Sequence, residues 1–237
     1  LRQSSVRGII TAPGFKGGDY LAMLDKCDPP ESLRTVVDLD AVERDGRMTW
    51  ASLLALGCSV DDAVFADRVA ACDPDDAINI QYTSGTTGMP KGATLSHNNI
   101  LNNGFFIGER LRLTEADSVC IPVPFYHCFG MVLGNLACIT HGSAMVLPGE
   151  AFDPLAVLEC VEAERCTGLY GVPTMFIAEQ DHPRFAEFDL SSLRTGIMAG
   201  SPCPIETMRR CVSDMHMDQV TICYGMTETS PVSTQSD

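Results

Sequence analysis

The residues best suited to chemistry are concentrated in one short run, Tyr82-Thr83-Ser84-Gly85-Thr86-Thr87-Gly88-Met89-Pro90-Lys91-Gly92. Glycines at 85, 88 and 92 let the backbone approach a ligand and expose amide donors, and Thr83, Ser84, Thr86 and Thr87 add hydroxyls. Lys91 supplies one fixed positive charge. This donor set suits a polyphosphate, because hydrogen bonds to charged acceptors are the stronger class. The run is not a Walker A loop, since Lys91 is preceded by Pro90 and followed by Gly92 rather than by Ser or Thr. A polar surface loop built of turn residues has the same composition, and that reading stays open at this level.

The run needs a strand before it and a helix after it. Ile78 and Ile80 alternate with Asn79 and Gln81, as in a half-buried strand, and a helix is expected from Ser96 to Leu111. Strands are expected over 8–12, 35–39, 77–83, 118–123, 143–147, 168–172, 196–199 and 219–224, alternating with helices over 19–26, 96–111, 128–140, 153–166, 173–180 and 204–215. Asp153 before Pro154 reads as an N-cap ahead of a first-turn proline, with Leu155, Leu158 and Val161 on one face, and Pro204 gives a second first-turn signal. The alternation predicts an α/β fold with a doubly wound, mostly parallel sheet flanked by helices, whose ligands sit beyond the carboxyl ends of strands. The acidic stretch 61–76 marks either a boundary or a surface loop. We place the division at 75/76, separating a partial α/β segment (1–75) from the main α/β core (76–237).

Composition narrows the partners. The chain has 237 residues, 45% of them hydrophobic, enough to bury a core and to exclude disorder. Sixteen Lys plus Arg stand against 31 Asp plus Glu, a net charge of -15, and that average field disfavours nucleic acid as a partner. No apolar run is long enough for a transmembrane segment. The eleven cysteines include no C-x-x-C pair and several sit in apolar stretches, so reduced thiols and a cytoplasmic location are expected.

Thr83 to Gly92 resembles the signature loop of the adenylate-forming superfamily, which includes acyl-CoA synthetases, peptide-synthetase adenylation domains and luciferases. Tyr224-Gly225-Met226-Thr227-Glu228 is similar to the Tyr-Gly-x-Thr-Glu element of the same superfamily, at the end of an expected strand. Segments Pro122 to His127 and Ala199 to Pro202 also resemble family segments. The likeness implies part of the large N-terminal domain of such an enzyme. The implied activity is ATP-dependent conversion of a carboxylic acid, expected to be fatty, to an acyl-adenylate with pyrophosphate release, followed by thioester formation with CoA. ATP, Mg²⁺ and CoA are the implied cofactor and co-substrates.

By this resemblance Thr83, Ser84, Gly85, Thr86, Thr87, Gly88 and Lys91 embrace the β- and γ-phosphates. Glu228 holds Mg²⁺, Thr227 bonds the α-phosphate, and Tyr224, with Gly225 and Met226 beside it, packs against adenine. Gly200, Ser201 and Pro202 line the adenine and acyl pocket, and a plain strand-to-helix turn explains that trio nearly as well. His127 borders the pocket mouth, or else serves as a structural histidine. Phe125 to Gly134 contains no acid to pair a substrate ammonium, which favours an acid with an apolar tail over an amino acid. Phe129, Met131, Val132, Val172, Met175 and Phe176 are candidates to line that pocket, against a default role in the core.

The chain starts at Leu1 and stops at Asp237, shortly after the second motif. The resemblance then implies a central portion of a ligase, lacking the ribose-binding aspartate and the small C-terminal domain with its lysine. Such a piece is expected to bind nucleotide weakly, to be inactive alone, and to self-associate through surfaces that its missing parts would cover. A non-catalytic nucleotide-binding module, a kinase-like phosphotransferase and adenylation of an aryl or amino acid remain alternatives.

Overall fold

The computed structural model describes residues 1–40, 46–84 and 88–236. The chain divides into two compact units, Leu1–Cys72 and Asp73–Asp237. In the first, strands β1 (Gly8–Thr11), β4 (Thr35–Asp38) and β5 (Met48–Thr49) form a parallel sheet in the order β1-β4-β5, and β2 (Gly14–Phe15) pairs antiparallel with β3 (Gly18–Asp19). Its helices are α1 (Tyr20–Asp25), α2 (Trp50–Gly57) and α3 (Asp62–Ala70), each begun by a side chain that accepts a backbone N–H: Asp19, Thr49 and Asp61. The acidic stretch from Asp61 is thus partly helical. Val64, Phe65 and Val69 of α3 all remain exposed, so α3 has no buried stripe for a periodicity search to find.

The second unit opens with an antiparallel pair, β6 (Ala77–Thr83) and β7 (Lys91–Ser96), in which Thr83 stands opposite Lys91. The stretch expected to be loop up to Gly92 is therefore strand from Lys91 onward. Helix α4 (His97–Leu111) follows at once, opened by a capping box in which Ser96 and Asn99 exchange side-chain and backbone hydrogen bonds.

The remaining strands are β8 (Ser118–Cys120), β9 (Ala144–Val146), β10 (Gly168–Gly171), β11 (Thr195–Ala199), β12 (Gln219–Gly225) and β13 (Val232–Gln235). They form one sheet in the order β9-β8-β10-β11-β12-β13, parallel throughout except for β13 against β12. Helices α5 (Ala137–His141), α6 (Pro154–Ala163), α7 (Pro173–Gln180) and α8 (Ile205–Ser213) connect them. The mostly parallel, helix-flanked sheet read from the sequence is present.

Period-two alternation splits the core. Val119, Ile121, Tyr170, Ile197 and Ala199 face one cluster with α4, while Cys120, Leu169 and Met198 face another with α6, α7 and α8. Each fully buried aliphatic side chain contributes roughly 1.5–3 kcal/mol. Asp153 caps α6 through the Ala156 N–H at 2.9 Å, with Pro154 at the first helical position. Pro204 differs from expectation: its φ of -67° and ψ of 133° make it the N-cap, and α8 starts at Ile205.

The helix expected over 128–140 is a π-helix, Phe129–Leu136, continued by α5. A Cβ on Gly130 would stand 2.4 Å from the Pro124 carbonyl oxygen, and one on Gly134 would stand 3.1 Å from Ile121. These two glycines press the wide helix against the segment that leads from β8 to His127.

Candidate functional site

The site is built at the carboxyl ends of β11 and β12, which run parallel with Ala199 beside Cys223. Gly200, with φ +93°, turns the chain away after β11 in a conformation that favours glycine. At the end of β12 the chain reverses. A Cβ on Gly225 would stand 1.9 Å from the Pro231 carbonyl oxygen, so only glycine permits the return strand to lie so close. Between them, Thr227–Thr229 forms one turn of 3₁₀ helix. The turn is braced from inside: Met226 N–H donates to Pro231 O at 3.0 Å, and the Thr229 hydroxyl lies 2.6 Å from the same oxygen.

A second brace comes from α4. The Asn103 amide donates to Val232 O at 2.9 Å and accepts from Val232 N–H at 3.0 Å, tying β13 to the helix. Sequence reading missed Asn103. Its one signal, an Asn in a helix interior, is shared by the adjacent Asn102, whose amide bonds the Asn98 carbonyl within the helix, so the sequence did not single Asn103 out.

The turn presents Thr227 and Glu228 to a cleft of about 370 Å³. The hairpin reaches the same cleft from the other side: the Thr83 hydroxyl lies 3.5 Å from Glu228 Oε1, and β7 packs against the turn. His127, Cys128, Phe129 and Leu133 close a third wall, and Gly200, Tyr224, Gly225 and Met226 complete the lining of predicted residues. Phe129 N–H donates to His127 Nδ1 at 3.1 Å, so in the neutral ring the proton resides on Nε2. Cys128 Sγ lies 3.7 Å from both His127 Nδ1 and Thr227 Oγ1. Burial raises the Cys128 thiol's pKa, opposed by its hydrogen bond with Thr227, so the thiol is protonated at neutral pH.

Several expected residues lie outside the lining. Gly85, Thr86 and Thr87 fall outside the described residues. Ser84, Gly88, Lys91, Ser201 and Pro202 are described but do not line the cleft. Lys91 is exposed, and pairs in register with Thr83, so their side chains share one face of the hairpin. Gly88 has φ +85°, a turn conformation suited to glycine. Among the candidate acyl-pocket residues, only Phe129 lines the cleft. Val132 is fully buried in the first cluster, Met131, Val172 and Met175 pack against it, and Phe176 is buried in the cluster on the opposite sheet face. The alternation of the strands, invisible in a list of apolar residues, decides this.

Among the described residues no three His, Cys, Asp or Glu side chains gather into a metal cage. Glu228 is the single carboxylate lining the cleft and has no ion-pair partner among the described residues, while the Thr83 and Thr227 hydroxyls add oxygen donors nearby. This sparse, all-oxygen set fits Mg²⁺, which takes one or two carboxylates together with phosphate oxygens and water. No helix among the described residues is long and apolar enough to cross a membrane.

Residues 1–237 match the family described as AMP-binding enzyme. YngI of Bacillus subtilis (strain 168), provisionally named an acyl-CoA synthetase, is 46% identical over 250 residues, covering 100% of this chain and 45% of its own length. The medium-chain acyl-CoA ligase ACSF2, mitochondrial, of Danio rerio is 40% identical, covering 98% of this chain and 41% of its own. The fold is similar to that of the anthranilate CoA ligase AuaEII in complex with anthranoyl-AMP, with a TM-score of 0.80 at 21% identity over 100% of this chain and 44% of that one. The chain spans less than half the length of these curated relatives.

Proposed function

Because the chain belongs to the AMP-binding enzyme family, we propose that residues 76–237 form the ATP- and acid-binding core of an acid–thiol ligase. In that reaction a carboxylate oxygen attacks the α-phosphorus of ATP, the bond to pyrophosphate breaks, and an acyl-adenylate forms. The CoA sulfur then attacks the acyl carbon and AMP leaves. The observation that carries the proposal is the approach of Thr83 and Glu228 across one cleft at the carboxyl ends of parallel strands.

The Thr83 hydroxyl, with Ser84, Gly85, Thr86, Thr87, Gly88 and Lys91, would take the β- and γ-phosphates, where negative charge builds as pyrophosphate departs. Thr227 would donate to the α-phosphate, and Tyr224, 64% exposed in the chain, would stack on adenine beside Gly225 and Met226. Gly200, Ser201 and Pro202 would form the opposite edge. Glu228 would hold Mg²⁺, which when bound neutralises phosphate charge. His127, its Nε2 carrying the proton, would orient the substrate carboxylate. Phe129, Leu133, Ala199 and Val232 give the cleft an apolar side, and no second carboxylate among its described lining residues would pair an ammonium. A fatty acid fits better than an amino acid, in keeping with the medium-chain specificity in one relative's name.

The test is product analysis on a protein that carries this chain and the remaining length of its relatives. With a fatty acid, MgATP and hydroxylamine, AMP, pyrophosphate and a hydroxamate are expected, and Glu228→Gln should reduce all three. ADP as product would favour a kinase. A thermal shift with MgATP but no AMP would leave a nucleotide-binding module.

A further inference from the structure

We infer that Met131 is a positioning residue for the proposed reaction: its sulfur accepts hydrogen bonds from the Asn79 and Gln81 side chains and thereby sets where the hairpin holds Thr83 at the cleft. Asn79 Nδ2 and Gln81 Nε2 lie 3.5 and 3.6 Å from Met131 Sδ, and a thioether sulfur is a weak acceptor for such groups. The kinetic consequence rests on the ligase reading; the contact itself does not.

Side chains must place this hairpin, because among the described residues β6 and β7 pair only with each other and no backbone ladder joins them to the large sheet. A two-stranded ribbon alone is marginal in water. Ala93 and Leu95 are buried on its inner face, Leu95 within the first core cluster. Apolar burial of this kind is non-directional and tolerates sliding, whereas a hydrogen bond fixes distance and direction.

The alternation of β6 is inverted relative to a strand that buries its apolar face. Ile78 and Ile80 are 45% and 46% exposed, while Asn79 and Gln81 share the inner face with their register partners Leu95 and Ala93. Turning amides inward is costly without a partner, and the thioether is the acceptor their N–H groups meet. Thr83 follows Gln81 on the same face, about 7 Å further along the strand, and lines the cleft beside Glu228. Met131 N–H donates to the His127 carbonyl at 3.0 Å, and Phe129 and Leu133 of the same π-helix line the cleft. The sulfur therefore joins the wall that carries Thr83 to the wall that carries His127, and a displacement at Gln81 is passed on to Thr83.

The test uses Met131→Leu, which keeps the apolar bulk and removes the acceptor, in a protein that carries this chain and the remaining length of its relatives. The KM for MgATP should rise about 5–30-fold, the span of one to two lost hydrogen bonds, while the KM for the fatty acid stays unchanged. Backbone amides of residues 77–96 should exchange hydrogen faster than in the parent, and those of β10 and β11 at the parental rate. Gln81→Leu, which removes a donor instead, should act in the same direction and serves if Met131→Leu does not fold. Adding Gln81→Leu to Met131→Leu should raise the KM no further, because that bond is already lost. Additive losses, unchanged hairpin exchange, or a change in the KM for the acid instead of MgATP would overturn the inference. A parent that forms no AMP would sink the ligase reading, and hairpin exchange in the two variants would still decide whether the sulfur fixes the hairpin.

Discussion

Thr83 and Glu228 lie 145 residues apart in sequence, yet the hydroxyl of one stands 3.5 Å from a carboxylate oxygen of the other. Neither residue is placed by its own element alone. Thr83 ends the hairpin strand β6, and Glu228 rides a 3₁₀ turn whose shape depends on Gly225 and on the Asn103 clamp. A polyphosphate bound at the cleft would meet donors from the hairpin and an acid from the turn at once.

Lys91→Ala isolates the hairpin's charge from its fold. Lys91 is exposed and makes no ion pair among the described residues, so its loss should leave the melting temperature within about 1 °C, surface changes being nearly neutral. If it faces developing charge on pyrophosphate, ATP–pyrophosphate exchange should fall on the order of 10²–10³-fold. Unchanged exchange would remove Lys91 from the proposed site.

Gly225→Ala should disturb the turn itself. Its new Cβ would lie 1.9 Å from backbone oxygen of Pro231, and backbone cannot step aside as a flexible side chain can. We expect a loss of about 1–3 kcal/mol, seen as a lower urea midpoint, with weaker MgATP binding than the stability loss explains. A variant with the parental midpoint would show that the reversal tolerates a side chain.

Glu179 makes stability depend on pH. It is 1% exposed on α7, neither carboxylate oxygen has a hydrogen-bond partner among the described residues, and burial raises its pKa to about 8. The folded protein therefore keeps the proton after the unfolded chain has released it. Stability is full below the ordinary carboxyl range and declines as pH rises towards about 8, by at most about 1.4 kcal/mol per pH unit. Urea midpoints at pH 5.5, 6.5 and 7.5 should fall in the parental protein and stay flatter in Glu179→Gln. Parallel lines would refute this.

Arg194→Ala should be costly, for a different electrostatic reason. Arg194 forks onto Asp117 with Nη2 at 2.8 Å and Nε at 3.1 Å, and Asp117 also accepts from the Thr167 hydroxyl at 2.7 Å. Burial pushes the Asp117 pKa up, but these bonds and the Thr114 N–H hold the carboxyl below its ordinary value. Its stabilisation is thus present above the ordinary carboxyl pKa and lost as pH falls through the lowered one. Stranding that buried charge should cost about 3–5 kcal/mol at pH 7, while Arg194→Lys should recover only part, since an ammonium cannot fork. Calorimetry of the two variants at pH 7 distinguishes the cases.

What the sequence determined by itself is local. The alternation of Ile78 and Ile80 marks a strand, Asp153 with Pro154 marks a helix start, and the motifs at 83–92 and 224–228 name a family, because each is a signal carried by neighbouring residues. Where the deciding contact lay elsewhere in the chain, local signals failed. Periodicity could not show that residues 129–136 coil as a π-helix against Pro124, or that Phe176 faces away from Phe129 across the sheet. Nor could it show that Asn103 holds β13. Those facts depend on sheet order and on which face each alternating side chain takes. Long-range packing sets both, and no run of adjacent residues encodes it.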